Sequence, residues 1–232
     1  AITQRGRTEY LMGGGRANTD AIDNSAGVDC SDHEVNLKIL FAPLMESGRL
    51  TLSARNRLLA RMTEEVGQLV LRNNYLQCLA ISGLQARAVE RIFELGHVIR
   101  ALERAGTLDR ALEALPTDDD IVERHRKGQG LTRPELSMLL SYSKIWLSGK
   151  LIETDIAEDP FLGGELIRYF PQPVQRRYPR AILRHQLRRE IIVTATTNSL
   201  VNRMGPVFAI RTQEDTGADV GRIARAFAIG RE

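Results

Sequence analysis

The chain has 232 residues, of which 43% are hydrophobic and 26% charged, a composition typical of a globular protein with one domain or two unequal ones. This composition excludes a collagen, a mucin-like stalk and a disordered tail. The longest stretch without a charged residue, Asn73 to Ala86, has 14 residues, whereas a membrane-spanning helix needs about 20 apolar ones. We therefore expect no transmembrane helix and no membrane partner.

The charge, the cysteines and the first residues bear on the partners, the cellular location and the completeness of the chain. The net charge is only +3, and 28 of the 32 basic residues are arginines, which does not by itself indicate a nucleic-acid partner. Cys30 and Cys78 match no disulfide-framework spacing, which favours a reducing, cytoplasmic location. Ala1 is not an initiator methionine and no signal peptide follows it, so we expect the chain to be part of a longer protein.

The beginning of the chain is predicted to form a loop, a short strand, a tight turn and a helix. Residues 2–28 are rich in Gly, Asn and Asp and have little apolar periodicity, so no helix is expected there. The strand is placed at Ala17 to Ile22. Ser31 and Glu34 have the spacing of a capping box, which predicts a helix that begins at Ser31 and ends near Pro43.

The rest of the chain is predicted to form long amphipathic helices separated by polar or proline-bearing breaks. Thr132, Pro134 and Glu135 give the clearest helix start, with Thr as N-cap, Pro near the first helical position and Glu closing a capping box. The predicted helices run from about 53 to 81, 84 to 104, 133 to 149, 179 to 204 and 216 to 228. The helix lengths differ, so a solenoid of repeats is not expected.

Two polar clusters resemble ligand sites only superficially. Cys30 and His33 lie among carboxylates, but no second Cys or His pair lies at metal-binding spacing, so we predict no metal site and interpret Ser31 and Glu34 as helix caps. The glycine triplet at 13–15 lacks both the dinucleotide-loop spacing and the P-loop lysine, which favours a flexible turn.

An arginine-rich stretch, residues 168–190, is the strongest charge feature. Arginines at 176, 180, 184 and 188 recur every four residues and would form one face of a helix. The Arg176 to Arg189 face could bind a protein or nucleic acid. The alternative is an interface paired with carboxylates such as Asp118, Asp119 and Asp120, and we favour it.

The run from Asn18 to Asn36, NTDAIDNSAGVDCSDHEVN, resembles the late active-site segment of the large bacterial NAD-specific glutamate dehydrogenases. Four further segments resemble the same enzymes in the same order: Gly130 to Leu136, Tyr169 to Pro171, His185 to Ile191 and Asn202 to Gly205. The resemblance thus spans nearly the whole chain and identifies it as a C-terminal fragment of such an enzyme.

The resemblance implies an activity and three site residues. The parent enzyme would oxidise L-glutamate to 2-oxoglutarate and ammonia and pass the hydride to NAD. Asn24 would lie near the nicotinamide ribose, Val28 would shape the substrate pocket, and Ser31 would hydrogen-bond a glutamate carboxylate. Ser25-Ala26-Gly27 stands where smaller members of the superfamily have Ala-Gly-Gly, so the resemblance does not establish the exact turn or a backbone contact by Ala26.

The resemblance also implies what the chain lacks. The family's catalytic Lys and Asp, its substrate-binding lysines and its glycine-rich dinucleotide loop lie upstream, and no stretch here matches them. We therefore predict no catalytic residue in this chain, no NAD bound to it and no activity on its own.

Together these arguments predict a mainly α fold: a multi-helix C-terminal domain preceded by a short strand-turn-helix remnant of a Rossmann-type domain. Residues 1–48 would be the terminal piece of the dinucleotide-binding domain, and residues 49–232 the helical domain. The expected partners are the upstream catalytic domain of the same chain and further copies in a homo-oligomer, while nucleic acid is not expected. The helical domain would have a structural, subunit-contact or regulatory role.

Overall fold

A computed structural model of the protein describes residues 2–231, and every regular element in that range is helical. The mainly α prediction is confirmed. The helices are α1 (Gln4–Met12), α2 (Asp20–Asp23), α3 (Ser25–Glu46), α4 (Leu52–Ala86), α5 (Ile92–Arg104), α6 (Asp118–Arg126), α7 (Arg133–Leu151), a 3₁₀ turn (Ile156–Glu158), α8 (Gly163–Tyr169), α9 (Gln172–Arg177), α10 (Pro179–Leu183), α11 (Arg188–Met204), α12 (Val207–Thr216) and α13 (Val220–Gly230). None of them combines the length and apolar composition that a bilayer-spanning helix needs.

The strand-turn-helix remnant is absent from residues 2–231, and helices occupy its place. The Thr3 hydroxyl accepts from the Gly6 N–H at 3.1 Å and caps α1 in a segment for which no helix is predicted. Where the strand is predicted, Thr19 caps the short helix α2. The helix start predicted at Ser31 is also wrong, because α3 begins at Ser25 and Ser31 lies inside it.

The reason for the error at α3 is the chemistry of its inner face. Ser25, Asp29, His33 and Asn36 lie three or four residues apart and so share one side of the helix. All four are polar. Because sequence periodicity detects helices by their apolar stripe, the first three turns of α3 give no such signal. Only from Leu37 onward does the inner face become apolar.

The long helices that follow are mostly as predicted. Helix α7 agrees closely with its predicted range. Helix α4 continues through the break predicted at residues 82–83 and ends at Ala86, and α5 begins only at Ile92, after a turn. The single helix predicted from 179 to 204 is two helices, because the His185 ring accepts the Leu187 N–H at 3.1 Å and interrupts the backbone ladder. The last predicted helix begins later, since Gly217 with φ 68° ends α12.

The core is built around α7 and α11, which pack against each other and against α4. One buried apolar cluster extends from Ile22 in α2 to Ala228 in α13. Its fully buried members include Phe41 of α3, Leu139 and Leu140 of α7, and Leu200 of α11. Helix α3 therefore contributes its later turns to the same core as the helices that follow it.

The connection into α7 is fixed by polar contacts. Arg133 donates to Asn18 at 2.5 Å and to the Ser82 hydroxyl at 3.0 Å, which joins the start of α7 to α4 and to the segment before α2. A Cβ atom on Gly130 would lie 2.5 Å from the carbonyl carbon of Ala88, so only glycine allows this approach of the loop to the turn that follows α4. The segment from Gly130 to Leu136 thus has a structural role.

The arginine-rich stretch does not form one helical face. Arg176 lies on α9, Arg180 on α10 and Arg188 on α11, so the four-residue spacing is interrupted twice. Arg188 and Arg189 both pair with Glu158, the latter at 2.7 Å. The acids proposed as partners lie elsewhere, since Asp118 pairs with Arg100 and Arg110. The regular spacing of these arginines in the sequence therefore does not place them on one surface of the folded chain.

Candidate functional site

The three site residues implied by the sequence lie together on one exposed face. Asn24 occupies the N-cap position of α3, and Val28 and Ser31 follow at helical spacing. All three side chains are exposed, and Val28 keeps 60% of its surface accessible to solvent. They meet at a helix-to-helix junction rather than at the predicted strand-to-helix junction. An exposed apolar side chain between two hydrogen-bonding ones is available to a ligand or a partner surface.

The adjacent face of α3 lines a groove with a volume of about 590 Å³. Its other walls come from α4, α8 and α13, and its floor is the length of α11. The α11 side chains that face it recur at three- and four-residue intervals from Glu190 to Arg203, as one face of a helix must. This volume is typical of small-molecule sites.

The α3 wall of the groove is a packed histidine and tyrosine. The His33 ring stacks on the Tyr169 ring with centroids 4.3 Å apart, and the Tyr169 hydroxyl accepts from the Asn36 amide at 2.8 Å. Burial lowers the pKa of His33 and outweighs the opposing effect of Asp29 and Asp32. Burial likewise raises the pKa of Tyr169 to about 12. Both rings are therefore neutral near pH 7.

A second buried histidine supports this wall from behind. His185 is 4% exposed, and its Nε2 lies 3.0 Å from the carbonyl oxygen of Asn36. Because its Nδ1 accepts the Leu187 N–H, the proton is on Nε2, which donates to Asn36. Burial lowers the pKa of His185, so it stays neutral and keeps this tautomer. The position of Asn36 in the groove thus depends on residues of α8 and of the segment before α11.

The other end of the groove is basic, and we call Arg72, Arg168, Arg203 and Arg231 the basic end. Arg168 donates to Glu165 at 2.9 Å, and Arg231 pairs with the same carboxylate oxygen. Burial raises the pKa of Glu165, but hydrogen bonds from Arg231 and Arg168 outweigh this effect and leave the pKa below its ordinary value. Glu165 is therefore a carboxylate shared between two arginines.

The N-terminus of α3 is tied to the core by a polar chain. The Ser25 hydroxyl donates to Asn74 at 2.6 Å and accepts from the Gln77 amide at 3.2 Å. The Gln77 carbonyl oxygen in turn accepts from Lys144 of α7 at 2.7 Å. These bonds fix the helix turn that carries Asn24 and Val28 against α4 and α7. Burial lowers the pKa of Lys144 to about 8.

No group of three or more His, Cys, Asp or Glu side chains within residues 2–231 could hold a metal ion. Cys30 is exposed whereas His33 is buried, so the two do not form a common ligand pair.

Sequence reasoning did not find the groove, although the segments that resemble glutamate dehydrogenases contain a signal for it. Four of the five segments contribute lining residues: Asn36 from the first, Tyr169 from the third, Glu190 from the fourth, and Asn202 from the last. They are separated along the chain, and only the fold brings them together. The site residues assigned by resemblance came from the first segment alone.

Two family models match the chain. The model described as "Bacterial NAD-glutamate dehydrogenase, catalytic domain" matches residues 1–84, and the model described as "Glutamate dehydrogenase, C-terminal" matches residues 128–232. The chain belongs to the bacterial NAD-glutamate dehydrogenase family. The resemblance inferred from the sequence is thereby confirmed.

Curated relatives in this family carry the name NAD-specific glutamate dehydrogenase. The chain is 47% identical to the Pseudomonas aeruginosa protein and 46% identical to the Halomonas elongata protein, each over 231 residues and all of the chain. It is 42% identical to the Mycobacterium tuberculosis protein over 216 residues, or 93% of the chain. The chain spans 14% of the length of the first two relatives and 13% of the third.

Proposed function

We propose that the chain is part of an enzyme that oxidises L-glutamate to 2-oxoglutarate and ammonia with reduction of NAD. The observation that carries this proposal is the match of both family models, in order, to residues 1–84 and 128–232. The names of the relatives, which are 42–47% identical to the chain, support the same substrate and cofactor.

Asn24, Val28 and Ser31 are the residues of this chain that we assign to the reaction site. Asn24 would contact the nicotinamide ribose, Val28 the carbon chain of the substrate, and Ser31 a glutamate carboxylate. Their common exposed face supports the assignment, because a cofactor and a substrate held next to each other in the upstream domain could reach all three. A hydroxyl that donates to a carboxylate contributes about 1.5–3 kcal/mol to binding.

The proposal also covers the domain boundaries, the cellular location and the partners of the chain. We assign residues 1–48 to the end of the dinucleotide-binding domain and residues 49–232 to the helical C-terminal domain. The protein would be cytoplasmic and a homo-oligomer, with the upstream catalytic domain as the partner of the α3 face. Binding of protein or nucleic acid through the Arg176 to Arg189 face is not favoured, because these arginines lie on three separate helices and Arg188 and Arg189 both pair with Glu158.

The proposal predicts different activities for the full-length protein and for the 232-residue chain. The full-length protein should form NADH from NAD only when L-glutamate is present. The chain should form none, because it holds no residue that we assign to the chemical steps. NADH absorbance measures both, and circular dichroism shows whether the inactive chain is helical.

Two results would contradict the proposal. Steady NADH formation by the folded chain would show that catalytic groups are present within it. A full-length protein that reduces NAD with other amino acids but not with glutamate would remove the substrate assignment.

A further inference from the structure

We propose that the basic end of the groove binds a small multivalent anion that carries carboxylate or phosphate groups. The proposal rests on the arrangement of Arg72, Arg168, Arg203 and Arg231, on unpartnered polar atoms in the same groove and on the size of the cavity. It does not depend on the proposed function.

The arginines of the basic end are held close together. Arg203 and Arg231 each donate to the Ser199 hydroxyl oxygen at 2.7 Å, so the two guanidinium groups meet at a single atom. Arg231 also reaches Glu165, which Arg168 shares. Burial, followed by the positive charges of Arg231 and Arg72, lowers the pKa of Arg203. The cluster thus contains mutual repulsion that an anion would relieve.

The negative charge at this end is too small to balance the arginines. Glu165 is the one carboxylate among residues 2–231 that pairs with any of the four. Asp29, Asp32 and Glu190 also line the groove, but none of them forms an ion pair with these arginines. Glu190 and Arg203 are 13 positions apart on α11, which separates them by roughly 20 Å along the helix axis. The groove as a whole has four acidic and four basic side chains, but the charges that act on Arg203 are those of Arg231, Arg72 and the single carboxylate Glu165, so positive charge is in excess around Arg203.

The groove also contains polar atoms without partners. His33 is 2% exposed, and its Nδ1 has no hydrogen-bond partner among the described residues. The same is true of the amide oxygens of Asn36 and Asn202, and Asn202 immediately precedes Arg203. A buried polar atom without a partner costs about 1–3 kcal/mol. The Asn36 amide already donates to Tyr169, whereas the Asn202 amide can turn its N–H₂ group toward a ligand. Asn202 can therefore add a hydrogen-bond donor beside Arg203 at the basic end.

The chemistry of the cluster selects the ligand class. Guanidinium groups form paired hydrogen bonds with the oxygens of carboxylates and phosphates, and several of them together prefer an ion with more than one negative charge. A groove of about 590 Å³ admits a molecule of metabolite size. Di- and tricarboxylates and phosphate compounds meet both conditions, whereas chloride does not.

Isothermal titration calorimetry of the 232-residue chain tests the proposal. Citrate, succinate and inorganic phosphate are titrated separately at constant ionic strength, with sodium chloride as the reference. We expect saturable binding of at least one of them and none of chloride. A response to citrate or succinate alone identifies a carboxylate ligand, and a response to phosphate alone identifies a phosphate ligand.

Variants locate the binding within the groove. Arg203→Gln and Arg72→Gln should each weaken the binding about tenfold, because each removes one charge-assisted contact. Arg222→Gln is the matched control: Arg222 is exposed on α13, pairs with Asp219 and lies outside the groove, so its loss should leave the affinity unchanged. Absence of saturable binding at millimolar concentration, or unchanged binding in Arg203→Gln, would overturn the proposal. Neither outcome depends on glutamate turnover.

Discussion

Replacement of Glu135 by alanine should lower the free energy of unfolding by about 4 kcal/mol, since removal of one partner of a buried ion pair typically costs 3–5 kcal/mol. Glu135 is fully buried, and one of its oxygens accepts from the Thr132 N–H at 2.6 Å, from the Thr132 hydroxyl at 2.8 Å and from Arg124 at 2.8 Å. The change would leave the largely buried Arg124 without its partner and the Thr132 N–H without its acceptor. Urea unfolding followed by circular dichroism measures the effect.

Two further variants distinguish the effect of breaking the buried Glu135–Arg124 pair from the effect of removing any negative charge. Glu123→Ala removes an exposed glutamate on α6 that pairs with Lys127, and it should change stability by less than about 0.5 kcal/mol. Glu135→Gln keeps the side-chain shape and one acceptor, so it should lower the free energy of unfolding by less than Glu135→Ala does. It provides the measurement if the alanine variant does not fold. A loss below 1 kcal/mol in Glu135→Ala would mean that α6 and α7 are not joined in this way.

Replacement of Lys144 by methionine should stabilise the chain by about 2 kcal/mol at pH 7. Burial lowers the pKa of Lys144 from 10.5 to about 8, and each unit of such a shift costs about 1.4 kcal/mol when the lysine is charged. Methionine removes this cost but leaves the Gln77 carbonyl oxygen without its donor, and the loss of this hydrogen bond destabilises the variant by about 1 kcal/mol. The side chain is otherwise similar in length and can fill the same space.

The pH dependence distinguishes this mechanism from better packing. Between pH 8 and 10.5 the unfolded wild-type chain binds the Lys144 proton more strongly than the folded chain does, so wild-type stability rises with pH through this window. The advantage of Lys144→Met should therefore shrink from pH 8 to 10.5. Lys150→Met, an exposed position near the end of the same helix, should show neither effect. An advantage that stays constant across this range would contradict the assigned cause.

The parts of the fold that sequence predicts best are those with strong local signals. Thr132, Pro134 and Glu135 mark the start of α7 because the contacts that cap a helix lie within four residues. The sequence predicts the wrong start for α3 because the inner face of this helix carries Asp29, His33 and Asn36, whose partners lie on other helices. The break between α10 and α11 likewise depends on the ring of His185, which no periodicity reveals.

The candidate site likewise has a part that the local sequence predicts and a part that depends on contacts between distant residues. Asn24, Val28 and Ser31 were assigned by resemblance within one short run, and helical spacing was enough to bring them to one face. The groove needs contacts between distant residues, such as Asn36 with Tyr169, which are 133 positions apart. Composition and spacing contain no information on which helices meet, so the convergence of Asn36, Tyr169 and Arg203 could be recognised only in the folded chain.

The most direct test of the roles proposed for Asn24 and Ser31 in L-glutamate oxidation is the kcat/KM for L-glutamate of the full-length protein with Asn24→Ala or Ser31→Ala. Both side chains are exposed here, so their loss should not unfold the chain. We expect each variant to lower kcat/KM about 10- to 100-fold, the effect of one lost hydrogen bond to a charged group or cofactor. Asn56→Ala and Ser53→Ala, at exposed positions on α4, should retain wild-type values. Unchanged kcat/KM in both Asn24→Ala and Ser31→Ala would contradict the roles assigned to this face of α3.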